Sequence, residues 1–222
     1  MTTAANASKK ELTRDSLLIA LQEVLLDAGR AGLSVPQIVS RAKVAQGTFY
    51  NYFSSLDDAL DAVAALMLAE HVRVLDLVCA DVEDVADLFT RSSRQTLHVF
   101  LHNSEYGRVF FDSGLPPDRL VMGQREHMAQ AVLFGSRTGV FSVRDVETAT
   151  RVIAGGMYGA MVELYRGRMS EESIGPFVAE LLALLGVDQA RAAELCQREQ
   201  PYVPVSPVPL SSRPMPSPVE PS

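Results

Sequence analysis

Apolar residues recur at helical spacing near the start of the chain. The pattern consists of Leu17, Leu21, Val24, Leu25 and Ala28. These positions form one stripe on the face of an α-helix, and the charged residues between them lie largely off that stripe. Gly29 and Gly32 follow the stripe, and glycine is typical of a helix end. The pattern therefore predicts an amphipathic first helix that ends near residue 29.

Two shorter helices are predicted next, with a tight turn between them. Ser34 is followed three residues later by Gln37, which is the spacing of a capping box, and Pro36 falls in the first turn, where proline is tolerated. The second helix can extend only to about residue 41 or 42, because "AKVAQGT" has the composition of a turn and a new helix start. The third helix is predicted from about residue 45 to residue 53.

The rest of the chain up to about residue 199 is also helical in pattern. Further helices are predicted at residues 56–78, 82–103, 119–134, 144–168 and 173–185, with a short one near 188–199. The glycine and prolines of "SGLPPD" interrupt this pattern. No alternating apolar pattern of useful length occurs, so we predict an all-α fold.

These elements suggest four parts along the chain. They are a flexible N-terminal arm (1–12), a small three-helix domain (13–56), a larger helical domain (57–200) and a tail (201–222). The tail carries eight prolines, which cannot continue a helix, and it buries little. We therefore expect the tail to be disordered, and a short proline-rich docking segment remains an alternative.

Composition and charge narrow the class of protein. With 222 residues and 47% hydrophobic content, the chain can bury one or two cores. It lacks an apolar run long enough for a membrane helix and an apolar secretory signal, so we expect a cytoplasmic protein with no membrane partner. The net charge is −7, yet residues 1–56 have a small basic excess, which weakly favours contact with a polyanion. Cys79 and Cys196 match no zinc or redox spacing.

Residues 44–53, "VAQGTFYNYF", combine apolar rings with polar side chains on one short helix. Three helices with a tight turn before the third have helix-turn-helix geometry, in which the third helix enters the major groove of DNA. Helical spacing turns Phe49 and Phe53 inward and leaves four polar or phenolic side chains on the outer and end faces: Gln46, Thr48, Tyr50 and Tyr52. A glutamine can bond an adenine edge, while hydroxyl groups bond phosphates. Gly47 would permit close approach to DNA.

With this spacing, residues 14–60 resemble the DNA-binding domain of the TetR-like (TetR/AcrR) transcriptional regulators. The resemblance is carried above all by "VxxGTxYxxF" at residues 44–53, at the family's distance from a capped helix. It implies that Gln46 and Gly47 lie near base edges. It also implies phosphate contacts by the chain around Arg14 and by three other residues: Thr48, Tyr50 and Tyr52. Ser34 and Lys43 complete the predicted DNA-binding set.

Three positions depart from the family pattern. Ala45 stands where a small capping residue is usual, so one cap bond of about 1 kcal/mol should be missing. Lys43 stands where the turn often has glycine, and it could add a phosphate contact. Leu56 stands where a lysine is common at the start of the fourth helix, so that backbone contact should be absent.

The resemblance also implies that the larger domain holds a small-molecule pocket and a dimer interface. Aromatic and thioether residues are the pocket candidates: Phe100, Tyr106, Phe110, Phe111, Met122, Met157, Tyr158 and Met161. The interface candidates lie on the last two strong helices: Gly155, Gly159, Phe177, Leu181, Leu184 and Leu185. Both sets have an alternative interpretation, in which the residues belong to the core of one subunit.

Other chemistry has little support in the sequence. His98 and His102 have the i, i+4 spacing of a metal pair, with Glu126 and His127 as conceivable further ligands, but no Cys partner or HExxH motif accompanies them. We therefore expect hydrogen-bonded histidines, with neither a metal nor a cofactor. No nucleophile-elbow, P-loop or dinucleotide motif occurs, so we do not expect an enzyme.

The resulting hypothesis is a homodimeric repressor that binds a palindromic double-stranded DNA operator and is released by an unidentified small molecule. The alternative from another class is a ligand-independent architectural or co-regulatory protein that uses the same DNA-binding head. A helical protein that has lost DNA binding is a further alternative. The sequence identifies neither the effector nor the operator.

Overall fold

The computed structural model describes residues 9–114 and 117–211, with side chains for all of these except 117–124 and 127. The fold is all-α, as predicted, and no strand occurs in the described ranges. The first helices are α1 (Lys9–Gly32), α2 (Val35–Ala42), α3 (Gln46–Tyr50) and α4 (Leu56–Val78). They are followed by α5 (Val85–His102), α6 (Ser104–Asp112), α7 (Pro117–Arg137) and α8 (Val146–Tyr165). A 3-10 turn (Glu171–Ser173) leads into α9 (Ile174–Leu184) and α10 (Gln189–Gln197).

Local sequence signals explain most helix boundaries. Gly29 has φ 64° inside α1, so the regular helix is interrupted where the glycine pattern predicts its end. Asp84 caps α5 by accepting from the backbone N–H groups of Ala86 and Asp87. One helix, α6, was not predicted. It forms because Asn103 leaves the helical conformation and its side-chain oxygen accepts from the N–H of Tyr106.

Residue contacts group the chain into two units, each with its own core. Among the described residues, the head unit contains 9–67, 108–114 and 206–211, and the body unit contains 68–107 and 117–205. The predicted domains, with boundaries at residues 13 and 57, are continuous stretches of chain. The grouping by contacts differs, because it also places the segments that begin at residues 108 and 206 in the head unit. Residues 9–12, assigned to a flexible arm, already belong to α1, and residues 1–8 lie outside the described part.

The head unit is built around the first three helices. Large apolar side chains from these helices, and one from the segment after α3, have almost no exposed surface: Leu21, Leu25, Ile38, Phe49 and Phe53. These are the residues that the sequence places on the inward faces of the three helices. Burying such a side chain stabilises the fold by about 1.5–3 kcal/mol, so this cluster can hold even a very short α3 in place.

The C-terminal segment is part of the head core, contrary to the predicted disorder from residue 201 onward. Val208 and Leu210 are buried. The fully buried Gln22 of α1 donates to the Leu210 carbonyl (2.8 Å) and accepts from the Leu210 N–H (2.8 Å). The Ser211 hydroxyl donates to the buried Asp15 carboxylate (2.8 Å). Proline prevents a helix here, but it does not prevent an extended segment from burying alternate residues against α1. The rest of the predicted tail, 212–222, lies outside the described residues.

The body unit has a second, separate core. Helix α8 packs against α5 and α7, and α9 packs against α5 and α10. A buried glutamine again holds an extended segment, since Gln95 of α5 donates to the Val203 carbonyl (2.6 Å) and accepts from the Val203 N–H (3.2 Å). None of the described helices is long and apolar enough to span a lipid bilayer.

The Gln22 contact yields a stability prediction. Gln22→Ala removes three hydrogen bonds, to Leu18 and to both backbone groups of Leu210, and leaves buried polar groups without partners. We expect the free energy of unfolding to fall by about 2–3 kcal/mol, measured by urea denaturation. Ser16→Ala is the control, because Ser16 is exposed on the same helix.

A truncated chain separates the contact from a local effect on α1. In a chain that ends at residue 205, Gln22→Ala should lower the free energy of unfolding by much less than in the full chain, because Leu210 is absent. An equal loss of stability in both chains would show that the hydrogen bonds between Gln22 and Leu210 do not stabilise the fold.

Candidate nucleic-acid interface and effector cavity

The turn between α2 and α3 depends on an unusual backbone conformation. Lys43 ends α2 in the left-handed region (φ 55°, ψ 43°), with its N–H directed at the carbonyls of Ser40 and Val39. Among the described residues it is the only non-glycine residue with positive φ. This conformation costs a residue with a β-carbon about 1–2 kcal/mol. The conformation explains why glycine suits this position, and in this chain the turn carries an exposed cationic side chain instead.

The prediction of a capping box at the start of α2 is wrong. Ser34 occupies the N-cap position with extended backbone (φ −151°), but its side chain makes no cap hydrogen bond. Pro36 lies in the first turn, as expected. The Ser34 carbonyl instead starts the helix by accepting from the N–H of Ile38 (3.1 Å).

The front of α3 presents small and polar groups. Gln46 and Gly47 are exposed and Thr48 is half-buried. Ala45 precedes them at the N-cap and makes no side-chain cap bond, as its sequence predicts. A β-carbon added to Gly47 would meet no heavy atom within 4 Å, so packing inside the protein does not require glycine there.

The back of α3 is an aromatic anchor. The buried rings of Phe49 and Phe53 lie 5.4 Å apart. Tyr50, 55% exposed, packs edge-on against the Phe49 ring, and Tyr52 is half-buried. The Phe53 N–H bonds the Phe49 carbonyl (3.0 Å), which continues helical hydrogen bonding past the last residue of α3. The stretch is therefore half core and half surface.

Two arginines of the head unit have partners within it. The Arg14 guanidinium lies 5.4 Å from the centre of the Phe53 ring, a cation–π contact. Arg41 pairs with Asp27 (2.6 Å) and more loosely with Glu23 (3.8 Å). Arg14 is thus placed beside the end of α3, whereas the carboxylates near Arg41 reduce its attraction for phosphate.

A capping box that the sequence analysis missed joins α3 to α4. The Ser55 hydroxyl accepts from the Asp58 N–H (3.1 Å), and the Asp58 carboxylate accepts from the N–H (2.8 Å) and hydroxyl (3.0 Å) of Ser54. These hydrogen bonds lower the pKa of Asp58. The signal was present as "SLDD", a serine followed three residues later by an acidic residue. Leu56, where a lysine is common in the family, is half-buried as the first residue of α4.

The body unit contains a mostly apolar cavity of about 230 Å³. Side chains from α4, α5, α7 and α8 line it, including Leu75, Phe89 and Met128. Three of the residues predicted for a pocket are in this lining: Met157, Tyr158 and Met161. An apolar enclosure with a few polar groups is typical of a small-molecule site.

The other predicted pocket residues lie elsewhere. Phe100 and Tyr106 are almost fully buried and pack edge-on, with ring centres 5.7 Å apart, so they belong to the core. Burial raises the pKa of Tyr106. Phe110 and Phe111 belong to the head unit and pack on each other. The side chain of Met122 lies outside those described.

Polar groups of the cavity are concentrated on α4 and α5. The Thr96 hydroxyl donates to the Ser92 carbonyl (2.8 Å), so the 3.1 Å contact between Thr96 and His71 Nε2 requires the histidine to donate. Cys79 also lines the cavity, and burial raises the pKa of its thiol to about 11, which keeps it protonated at neutral pH. Asp76 and Arg125 are the exposed charged members of the lining.

The predicted interface residues divide into two groups. Gly155 and Gly159 are exposed on α8, and a β-carbon at either would meet nothing within 4 Å. Leu184 is 57% exposed on α9, while Phe177 is half-buried. Leu181 and Leu185 are buried within the subunit, so they are core residues and cannot form an exposed contact face.

The head unit, with its short α3 behind a tight turn, defines a helix-turn-helix DNA-binding protein. Residues 17–63 match the model of the family described as bacterial regulatory proteins, tetR family. Residues 17–63 are accordingly a DNA-binding domain of the TetR type, and the chain resembles the TetR-like transcriptional regulators, as its sequence pattern indicates.

Solved structures of the family are similar over most of the chain. RolR in complex with resorcinol is 26% identical, with a TM-score of 0.68 over 90% of this chain and 100% of its own. RolR without ligand is 25% identical, with a TM-score of 0.66 over 86% of this chain and 99% of its own. The fatty acid degradation regulator FadR from Bacillus halodurans shares the fold at 18% identity, with a TM-score of 0.63 over 77% of this chain and 94% of its own. No curated protein gives a significant match.

Gly47 allows DNA contact and protein stability to be separated. Gly47→Ala should stabilise the fold by about 0.5–1 kcal/mol, because alanine favours the helix and the added methyl group has room. The same methyl group should weaken DNA binding about tenfold or more if the helix approaches the bases closely. Thermal unfolding and fluorescence anisotropy measure the two effects. The control is Gly175→Ala in α9, where the nearest heavy atom outside the helix, the Cys196 carbonyl oxygen, would be 3.9 Å from the added β-carbon. Unchanged DNA affinity would rule out close approach at residue 47.

Lys43 allows charge and backbone strain to be separated. Lys43→Ala and Lys43→Gly both remove the charge, so both should weaken binding to all duplexes and lower the salt slope by about 1. Only glycine relieves the left-handed conformation, so the glycine variant should be about 1 kcal/mol more stable than the alanine variant. Binding measured from low to moderate salt, together with urea denaturation, tests both statements. An unaltered salt slope would remove Lys43 from the interface.

Proposed function

We propose that the protein is a ligand-responsive repressor that binds a palindromic operator as a homodimer. The main observation in support is α3 itself, which exposes an amide, a glycine and a phenol in front of two buried phenyl rings. A buried anchor fixes the orientation of the helix before DNA arrives, which lowers the ordering cost of binding. The protein would act in the cytoplasm, where bacterial DNA is accessible.

The proposed contacts divide by chemistry. Gln46 would read a base edge, with Gly47 allowing the approach. Phosphate contacts would come from the hydroxyl groups of Ser34, Thr48, Tyr50 and Tyr52, and from the cations Arg14 and Lys43. Arg14 has the weakest support in this set, because its guanidinium already lies on the Phe53 ring.

Homodimer formation would use the exposed faces of α8 and α9. Val152, Gly155 and Gly159 recur at helical spacing on the exposed side of α8, and the glycines allow a partner helix to approach closely. Leu184 offers an apolar group on α9. A two-fold dimer places two α3 helices for half-sites about 34–36 Å apart, which is the reason for expecting a palindromic operator.

The effector proposed for the body cavity is a small, uncharged, hydroxylated aromatic molecule. The cavity volume of about 230 Å³ limits the size of the occupant, and the apolar lining favours a ring. Hydroxyl and imidazole groups from Ser93, Thr96 and His71 can hydrogen-bond an effector hydroxyl. RolR, which is 26% identical, was solved with resorcinol, a molecule of this class. Release of DNA requires that the effector bind the DNA-incompetent conformation more tightly.

Two steps test the proposed function. Selection from random duplexes should yield a palindrome, and Gln46→Ala should bind it with relaxed preference at one position in each half-site. Resorcinol and related phenols are then titrated into the protein–DNA complex. Met157→Phe, which fills the cavity, should keep DNA binding and lose release, whereas Met169→Phe outside the lining should retain both. Selected DNA that no compound releases from the wild-type complex would favour a ligand-independent DNA-binding protein, and failure to select any sequence would reject the proposal.

A further inference from the structure

A cluster of metal-ligating side chains lies in the body unit, apart from the effector cavity. His98 and His102 are on α5, and Glu171 is on the 3-10 turn before α9. One donor atom from each of the three lies within 4.8 Å of the others. Glu171 Oε1 is 3.8 Å from His98 Nδ1 and 3.9 Å from His102 Nε2. None of the three residues lines the effector cavity.

We propose that His98, His102 and Glu171 form a binding site for a divalent transition metal of the Zn²⁺ class. Two imidazoles and one carboxylate are ligands that Zn²⁺ accepts, with the fourth position left to water. The same set also suits Co²⁺ and Ni²⁺, whereas Mg²⁺ and Ca²⁺ prefer oxygen ligands alone. The sequence analysis expected hydrogen-bonded histidines here, so the carboxylate from a distant part of the chain is the new feature.

The buried Nδ1 atom of His98 is available to coordinate a metal ion. Its Nδ1 atom is buried, faces Glu171 Oε1 at 3.8 Å, and makes no hydrogen bond within the described part of the protein. A separation of 3.8 Å is too long for a hydrogen bond, and the group is shielded from water.

The donor atoms, which lie within 4.8 Å of one another, must move closer to hold one ion. In a tetrahedral site with bonds of about 2.0–2.2 Å, donor atoms lie about 3.3–3.5 Å apart. Each histidine–glutamate pair must therefore approach by roughly half an ångström. Glu171 is exposed and His102 is 39% exposed, so both can rotate without disturbing the core. The two rings now lie parallel within 4°, with centres 5.5 Å apart, and because an imidazole nitrogen binds a metal in the plane of its ring, His102 must turn to direct its lone pair at the same ion as His98.

Tyr202 supplies a wall for the site. Its ring centre is 5.0 Å from that of His102 and 6.1 Å from that of His98. The neighbouring residue Val203 is held by the buried Gln95 through two hydrogen bonds, so the tyrosine is fixed in place. An aromatic wall limits access of water on one side and favours coordination over solvation.

The test is metal titration of the full-length protein, purified without a histidine tag and treated with chelator. Calorimetry with Zn²⁺ should give one ion per chain, and Co²⁺ should give the absorption bands of a low-coordinate site. His98→Ala, His102→Gln and Glu171→Gln should each weaken Zn²⁺ binding about tenfold or more. Glu172→Gln is the matched control, because it removes the neighbouring carboxylate of the same turn and should leave the affinity unchanged.

Two results would overturn the proposed metal site. Absence of stoichiometric Zn²⁺ binding by the wild-type protein would overturn it. Equal affinity in wild type and all three variants would also overturn it, since the ion would then bind elsewhere. His102→Gln and Glu171→Gln change exposed side chains, so they remain informative if the more buried His98→Ala variant does not fold. The result is independent of DNA binding and of the effector.

Discussion

The packing of Phe49 and Phe53 behind α3 is the contact on which the conformation of the helix-turn-helix depends. A helix of five residues has too few internal hydrogen bonds to be stable alone. Its conformation comes from two buried rings, from the turn at Lys43 before it and from the Ser55–Asp58 capping box after it. The polar face can therefore be small, because the orientation of the helix is fixed by apolar contacts on its other side.

The elements that could be predicted are those with a local cause. Helix α4 was predicted with the boundaries observed, and the inward direction of Phe49 and Phe53 follows from their i, i+4 spacing. The failures have non-local causes. Leu181 and Leu185 look like an exposed stripe in sequence, but neighbouring helices cover them, and Phe100 and Tyr106 fill the core while His71 lines the cavity. Periodicity shows which face is apolar, but it does not show what covers that face.

Side-chain amides have an unexpected structural role in both units. Gln22 and Gln95 are fully buried, and each makes two hydrogen bonds with the backbone of a single C-terminal residue. A buried amide is unfavourable unless its donors and acceptors are satisfied. Each glutamine therefore favours the conformation in which an extended segment lies beside it and supplies these hydrogen bonds. Composition alone could not reveal these pairs, because a proline-rich segment without partners would be disordered. The same segment also brings Tyr202 next to the two histidines of α5.

The participation of residues 206–211 in the head unit has a consequence for biosynthesis. The helices of the helix-turn-helix are made first, yet Leu210, which covers part of α1, is among the last described residues to be made. While the chain is still on the ribosome, Gln22 and Asp15 have no C-terminal partner and the core of the head is incomplete. Full stability of the head unit is therefore reached only after residue 211 has been made, which is after every residue of the body unit has been synthesised.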